Sequence, residues 1–287
     1  MTHNILTVLL FVTAVWGHMQ LVYPPPFGGA NNPHRTDPAD EYLQYPFNCC
    51  GRTTPFPCGG YLRLLGTRQG ASVATWTAGS VQNWNISGIG NHWGGSCQVG
   101  FSIDQGKSFQ VATSYEGNCP HRSGGEDASG QTFNFTVPAD IPAGDVVFAW
   151  TWFNREQEFN MNCAAVTITN ETTTTDPTSP AGSYSAMAAL AHTYSADGCQ
   201  CTCPPTQPAL RALLHHRHAG GREVHMRKRT VMSYGQRPAM LIADTGNGCA
   251  TPHTTAEVKY PNPGPDVVPG DGVYPLEMPT PPEKCGY

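Results

Sequence analysis

The sequence predicts an all-β sandwich, and three observations support this. Only 13% of the 287 residues are charged, whereas 31 are Gly and 26 are Pro, a balance that favours short strands and turns over long helices. Several short segments alternate apolar and polar residues with a period of two, as half-buried strands do. Turn-forming clusters such as PADIPAGD separate these segments, which is typical of a sandwich of short strands.

The predicted strands are of two kinds. The segments NWNIS, CQVGFSID and TFNFTV alternate, so that one face of each is expected to be buried. The residues expected on these buried faces are Trp84, Ile86, Cys97, Val99, Phe101, Ile103, Phe133, Phe135 and Val137. The run VVFAWTWF at 146–153 is almost continuously apolar and predicts a core strand that includes Trp150 and Trp152, and AAVTIT at 164–169 predicts the last strand.

The N-terminus has the features of a secretory signal peptide. Residues 5–16 form an apolar run that is too short to span a bilayer, and Val15 and Gly17 stand at the small-residue positions before a cleavage point. We therefore expect residues 1–17 to be removed, which would make His18 the first residue. A buried strand or an interfacial anchor is the alternative.

Cysteines and glycosylation sequons agree with an oxidising compartment. The chain has 11 Cys, and sequons begin at Asn85, Asn134 and Asn170. The alternation in TFNFTV places Asn134 on the outward face. We expect a protein that is secreted and either extracellular or associated with the cell wall.

The composition changes after the last predicted strand. We expect a β-sandwich domain over 18–169, a Thr/Ser/Pro-rich linker over 170–198 and a Cys- and Pro-containing region of low order over 199–287. Within that long, largely disordered C-terminal extension, RPAMLIADTGNGCA is the stretch expected to be ordered locally. The net charge of −5 offers no case for nucleic-acid binding, no further stretch is long enough for a membrane span, and a monomer is expected.

A free N-terminal His18 would have an unusual set of donors. Its α-amine has a pKa of about 7.7–8.0 in unfolded chains, so that a metal can displace the proton near neutral pH. The amine and Nδ1 of His18 could chelate one ion, and a second histidine would complete a planar three-nitrogen site of the kind that favours Cu(II). The candidate partner is His92, in the glycine-rich turn GIGNHWGG before a strand.

Three motifs in order resemble one family. They are HMQLVYPPPFG, HWGGSCQVGFSIDQGKSFQVATSYEGNCP and FAWTWFNREQEFNMNCAAVTI, and together they cover most of 18–169. In these motifs the chain resembles the fungal lytic polysaccharide monooxygenases of auxiliary activity family eleven, which are chitin-active copper enzymes. The resemblance implies an immunoglobulin- or fibronectin-III-like β-sandwich with one copper ion held by His18 and His92.

The resemblance also implies a reaction and its partners. An insoluble polysaccharide, with chitin as the first candidate, would be cleaved oxidatively beside the glycosidic bond, with an external electron donor and O2 or H2O2 as co-substrates. Two alternatives come from the residues themselves. The first is a secreted copper-binding protein without cleavage activity, and the second is a module that binds polysaccharide or the cell wall.

One position departs from the family pattern. The family commonly has a tyrosine three residues before the cysteine of MNC, near the metal, and here that position is Asn160. A shift of one residue in the strand would bring Phe159 there instead, since neighbouring strand residues face opposite ways. Both alternatives remain open at this point, and neither supplies a phenol hydroxyl.

Further site residues follow from the resemblance. Glu158 matches the family's acidic residue, which would orient a bound oxygen species or transfer a proton. Cys97 and Cys119 match a hairpin disulfide, and Cys163 is expected to pair with Cys49, Cys50 or Cys58. Three aromatic residues near the expected copper face could stack on sugar rings or pack in the core. They are Tyr23, Phe27 and Trp93.

Overall fold

The computed structural model describes residues 18–170 and 232–287, and its regular structure there is almost entirely β. The strands of these two ranges are β1 (Met19–Tyr23), β2 (Thr75–Thr77), β3 (Val81–Gly88), β4 (Ser96–Ser102), β5 (Gln110–Glu116), β6 (Thr132–Thr136), β7 (Gly144–Phe153), β8 (Phe159–Thr169), β9 (Glu257–Val258), β10 (Val267–Pro269) and β11 (Leu276–Glu277). Helical turns occur at Cys49–Gly51, Cys58–Leu64, Arg68–Gly70, Tyr234–Gln236 and α1 (Pro282–Cys285). The all-β prediction is confirmed.

Two sheets enclose the main core. The larger has the order β10-β5-β4-β7-β8-β2 and the smaller the order β1-β3-β6, while β11 and β9 form a separate pair. Most neighbours are antiparallel, but three pairs are parallel: β10 with β5, β2 with β8, and β11 with β9. Side chains from both sheets fill the space between them, as in a sandwich.

Aromatic packing dominates this core. Trp84 of β3 stacks on Phe133 of β6 with ring centroids 4.4 Å apart, and its Nε1 donates a hydrogen bond to the Tyr115 hydroxyl across the sandwich. Trp150 and Trp152 are fully buried in β7, as predicted. Because large rings bury much apolar surface, these contacts fix the distance between the two sheets.

The alternation predicted for β6 is observed, but that predicted for β4 is not. Phe133 and Phe135 are buried and their neighbours in β6 are exposed. In contrast, β4 is buried on both faces, because its outer face is covered by the C-terminal segment 232–287: the Leu241 amide donates to Oε1 of Gln98. The prediction that Ile103 faces the core is wrong, since its side chain is 45% exposed just beyond the end of β4.

The C-terminal segment also corrects the prediction of low order over 199–287. Residues 232–287 belong to the same compact unit as the sandwich. Their order comes from tertiary contacts rather than from long helices or strands: β10 extends the edge of the larger sheet, and Met240 packs in an apolar cluster with Val147 and Ala165. The stretch RPAMLIADTGNGCA, which was expected to be ordered locally, lies within this ordered segment. The predicted signal peptide, nearly all of the linker and residues 199–231 lie outside the described residues.

Four disulfides lie in the described ranges. Cys97 joins Cys119, as the resemblance implies, and Cys163 joins Cys58. Cys249 joins Cys285 within the C-terminal segment, and Cys49 joins its neighbour Cys50. The described part of the chain contains no helix that is long and apolar enough to cross a membrane.

Candidate metal centre

His18 lies where the smaller sheet meets the loop that follows β3. Met19 pairs with Gly88 at the end of β3, and the Ile89 amide donates to the His18 carbonyl at 2.9 Å. A Cβ at position 88 would approach that carbonyl oxygen to 1.8 Å. Glycine is therefore required at position 88 for the first strand to run close to its neighbour and place His18 at this edge.

His92 lies in the loop 89–95, which connects β3 with β4. Four consecutive residues, 92–95, have φ between 45° and 122°. Residues other than glycine rarely adopt this backbone conformation. Such strain persists only where surrounding contacts determine the conformation, and it is concentrated at functional sites. Inside the loop, the Asn91 side chain accepts from the Trp93 amide and donates to the His121 and Arg122 carbonyls.

The two histidines form a buried pair. Their ring centroids are 6.3 Å apart at an interplanar angle of 72°, and the residues are only 5% and 6% exposed. Tyr45 packs against the ring of His18 at 4.3 Å between centroids. Burial lowers the pKa of His18 below its ordinary value, and the neighbouring His92 lowers it further. His18 is therefore held in the neutral form that binds metals.

Two carboxylates lie at opposite edges of the His92 ring. Glu156 Oε2 is 3.2 Å from Nδ1, and Glu158 Oε2 is 3.4 Å from Nε2. Burial raises the pKa of the Glu158 carboxyl, although a hydrogen bond from Asn154 and the charge of His92 act to lower it. Sequence reasoning found Glu158 but missed Glu156. The signal available was its place two residues earlier, in the same turn after β7.

Asn160 and Phe159 separate onto opposite faces of β8. Phe159 packs among aromatic rings, with centroids 5.1 Å from Phe153 and 6.2 Å from Phe56. Asn160 lies on the opposite face of β8 from Phe159 and is 2% exposed. Asn162, next on that face, accepts a hydrogen bond from the Leu21 amide in β1.

The side-chain amide of Asn160 is the unusual polar group of this region. Neither its oxygen nor its nitrogen has a hydrogen-bond partner among the described residues. A buried amide without a partner costs about 1–3 kcal/mol. Such a group is typical of a site that receives a ligand. Along the chain, Asn160 lies between Glu158, which contacts His92, and Asn162, which accepts a hydrogen bond from β1.

The residues present fit a copper ion. Two imidazoles supply nitrogen donors, and the α-amine of His18 would add a third after cleavage between residues 17 and 18; nitrogen-rich, open sites suit copper. Sulfur atoms of Cys49 and Cys50 lie within 4.8 Å of a ring nitrogen of His18. They are joined as a disulfide, so they offer no thiolates beside the histidines.

Of the three aromatic candidates, one is open to a large ligand. Trp93 follows His92 directly and is 63% exposed, whereas Phe27 is buried and Tyr23 is partly buried. Sequence reasoning missed Tyr42, which is 45% exposed and packs against Tyr45, the residue that contacts His18. Trp93 thus offers an exposed ring next to His92, whereas the guanidinium of Arg52 covers one face of the Tyr42 ring at 3.3 Å.

The three sequon asparagines differ in exposure. Asn134 and Asn170 are exposed, Asn134 on the outer face of β6. Asn85 is only partly exposed, because it lies in β3 between β1 and β6. Attachment of glycans at all three remains a prediction, and Asn85 is the least accessible.

A β-sandwich with a buried histidine pair at one edge fits a copper-binding protein, and comparisons with known proteins specify the family. The chain is 36% identical over 177 residues to AA11 family lytic polysaccharide monooxygenase A of Aspergillus fumigatus, covering 61% of this chain and 75% of that protein. It is 29% identical over 279 residues to the B protein of that species, with 92% of this chain and 51% of the relative covered. The Aspergillus oryzae member is 34% identical over 183 residues, covering 58% and 39%.

Comparison with solved structures finds weak similarities. T. fusca AA10A covers 53% of this chain and 100% of its own at a TM-score of 0.30 and 13% identity, and CvAA9A covers 39% and 64% at 0.28 and 11%. No protein-family model matches the chain. On the sequence relatives, the chain belongs to the AA11 family of lytic polysaccharide monooxygenases and is a copper-dependent oxidoreductase.

Proposed function

We propose that this protein is a secreted monooxygenase that binds one copper ion through His18 and His92 and cleaves chitin oxidatively. The observation that carries the proposal is the buried pair itself, with ring centroids 6.3 Å apart and a carboxylate beside each edge of His92. Copper bound there would supply the one-electron chemistry that lets an external electron donor and O2 or H2O2 oxidise a C–H bond.

The two histidines have different roles in this proposal. His18 binds through its α-amine and Nδ1, and its lowered pKa keeps the ring available as a donor. His92 would bind through Nε2, while Glu156, whose Oε2 lies 3.2 Å from Nδ1, would orient the ring. Asn160 would fill the position where family members commonly have a tyrosine, so that position supplies no phenol hydroxyl.

Glu158 is the proton-handling group. Its carboxylate lies 3.4 Å from Nε2 of His92 and is partly shielded from water. Because burial raises its pKa, it can hold and release a proton closer to neutral pH than an exposed glutamate. It can therefore deliver a proton to a co-substrate oxygen at the centre and orient that oxygen by hydrogen bonding.

Substrate binding is assigned to the exposed rings. Trp93 adjoins His92, and Tyr42 connects through Tyr45 to His18. Flat apolar rings stack on pyranose rings, so Trp93 would hold a polymer chain near the metal, with Tyr42 as a more distant contact. The substrate is chitin in this proposal, on the resemblance of the three motifs.

The test uses two matched chains. One begins at His18, and the other carries one extra residue before it, so that the α-amine no longer belongs to His18. Each is loaded with copper and incubated with chitin, ascorbate and O2 or H2O2. Mass spectrometry should detect oxidised oligosaccharides only with the first chain. Absence of oxidised products from chitin and other β-linked polysaccharides would contradict the proposal.

A second function is favoured by Asn160. A copper-binding protein without cleavage activity would need the histidines but not the residues that tune the oxidation, and the lack of a phenol at position 160 agrees with this. It predicts tight Cu(II) binding by the chain that begins at His18, a nitrogen-rich electron paramagnetic resonance spectrum, and no cleavage products. The same pair of chains therefore distinguishes the two functions.

A further inference from the structure

The C-terminal segment 232–287 contacts the loop that carries His92, although more than 130 residues separate them in sequence. Its residue Glu257, in β9, has a side chain that is only 1% exposed. Glu257 Oε1 accepts hydrogen bonds from the Gly95 amide at 2.8 Å and the Asn118 amide at 3.1 Å. A fully buried carboxylate is costly unless it is paired and hydrogen-bonded, and here it is both.

Arg122 pairs with this carboxylate and extends the contact to the loop. Its Nη1 lies 2.6 Å from Glu257 Oε1 and donates to the Trp93 carbonyl at 2.7 Å. The other side of the guanidinium is bound by Asp271, also in the C-terminal segment. Glu257 therefore binds residue 95 directly and residue 93 through Arg122. Both residues belong to the short stretch of loop that follows His92.

The fit between these groups and the loop is close. A Cβ at position 94 would approach Arg122 Nη1 to 2.3 Å and Glu257 Oε1 to 2.6 Å. Immediately after the loop, Ser96 Oγ donates to the Val258 carbonyl at 2.7 Å. These contacts explain how residues 92–95 retain four consecutive positive φ angles.

The same segment also supports the turn that carries the two carboxylates. Arg155 donates to the Thr254 carbonyl and Gln157 to the Thr251 carbonyl. Tyr274 lies under the guanidinium of Arg155 at 3.5 Å and under that of Arg122 at 4.7 Å. The C-terminal segment thus contacts both the loop that contains His92 and the turn that contains Glu156 and Glu158.

We propose that Glu257 is a positioning residue of the copper centre, which holds the loop 89–95 in the conformation that presents His92. The inference rests on the proposed binding of copper by His18 and His92. It assigns to residues 232–287 a part in metal binding that neither their composition nor their place outside the matched motifs indicates. Glu257 acts through the loop backbone and does not contact the metal.

The test is a double-mutant cycle on copper affinity in the chain that begins at His18. Glu257→Ala should weaken Cu(II) binding by about tenfold, the lower range for residues that orient a metal ligand, and should change the Cu(II) hyperfine splitting. In the His92→Ala background, Glu257→Ala should change the affinity by less than about twofold, because residues that act through one ligand are not additive. Glu257→Gln, which retains an acceptor for the Gly95 amide, should restore most of the affinity.

Two controls separate positioning from general stability. Glu277→Gln alters an exposed carboxylate in the strand paired with β9 and should leave copper affinity and spectrum unchanged. Hydrogen exchange of the metal-free chain should show faster exchange in residues 89–95 after Glu257→Ala, with the β7–β8 hairpin as protected as before. If Glu257→Ala does not fold, Arg122→Gln takes its place in the cycle, since Arg122 makes the contact with Trp93.

Each outcome has a distinct meaning. A wild-type chain that binds no copper would overturn the proposed function and this inference with it. Copper binding by the wild type, together with unchanged affinity and spectrum in Glu257→Ala, would overturn only the positioning role. Equal losses in the wild-type and His92→Ala backgrounds would also overturn it, because the effect would then not pass through His92.

Discussion

The Glu156 carboxylate lies 3.2 Å from Nδ1 of His92, on the side of the ring opposite Glu158. A carboxylate that accepts the proton of one ring nitrogen leaves the other nitrogen free to bind a metal. Glu156 is 47% exposed at its side chain, so it can serve this role without a large desolvation cost. The relationship places the turn after β7 beside the His92 ring.

Replacing Glu156 should weaken copper binding without unfolding the protein. We expect Glu156→Ala to lower Cu(II) affinity by about tenfold, because the His92 ring loses the partner that orients it. Isothermal titration calorimetry on the chain that begins at His18 measures this. Glu41→Gln, at an exposed glutamate, is the control, and an equal loss there would show that the effect is general electrostatics.

Glu158→Gln should change the pH dependence of stability in the metal-free chain. Because burial raises the pKa of Glu158 in the folded state, folding favours its protonated form. Its contribution to stability is present below the unfolded pKa of about 4.3 and decreases as pH rises through the folded value. The variant should therefore gain stability relative to wild type from pH 4 to pH 7 in urea titrations. A constant difference between the two would contradict the raised pKa.

Asn160→Leu should stabilise the metal-free protein. The buried amide has no hydrogen-bond partner among the described residues, so an apolar side chain of similar shape should raise the free energy of unfolding by about 1–3 kcal/mol. Asn162→Leu is the matched control on the same strand face. It removes hydrogen bonds to Leu21 and Leu43 and should destabilise the protein. Destabilisation by both variants would show that the Asn160 amide is satisfied.

Gly88→Ala should displace His18. The added Cβ would lie 1.8 Å from the His18 carbonyl oxygen, so the end of β1 must move and copper affinity should fall by about tenfold or more. Gly235→Ala is the control, because no atom lies within 4 Å of a Cβ at that position. Retained affinity in Gly88→Ala, measured by calorimetry, would mean that the N-terminus reaches the site by another path.

Removing the Cys249–Cys285 disulfide should loosen the C-terminal segment. The bond closes a loop of 36 residues, and loop entropy alone predicts a loss of about 3–4 kcal/mol for Cys249→Ser/Cys285→Ser. Because Glu257 lies within that loop, copper affinity should fall as well. Denaturant unfolding and calorimetry measure the two effects, and unchanged values for both would show that noncovalent contacts suffice to hold the segment.

Much of the sandwich was predictable because burial in strands follows a period of two. The period identified β3 and β6 and their core residues, and the segments at 146–153 and 164–169 identified β7 and β8. It failed at Ile103, where the chain turns out of the strand, and it could not show that β4 is covered on its outer face by Met240 and Leu241. The covering residues are distant from β4 in sequence, so the local periodicity of β4 contains no information about them.

The histidine site likewise has features that the sequence predicts and features that only the fold decides. From the sequence alone, the motifs around His18, His92 and Glu158 identified the metal-binding residues expected of the family, and composition identified a strand-rich domain. Only the tertiary structure separated Asn160 from Phe159, which lies in an aromatic cluster, because that choice depends on strand register. Only it showed that Glu156 reaches His92 and that Glu257 holds the loop, because these contacts join residues from separate segments through folding.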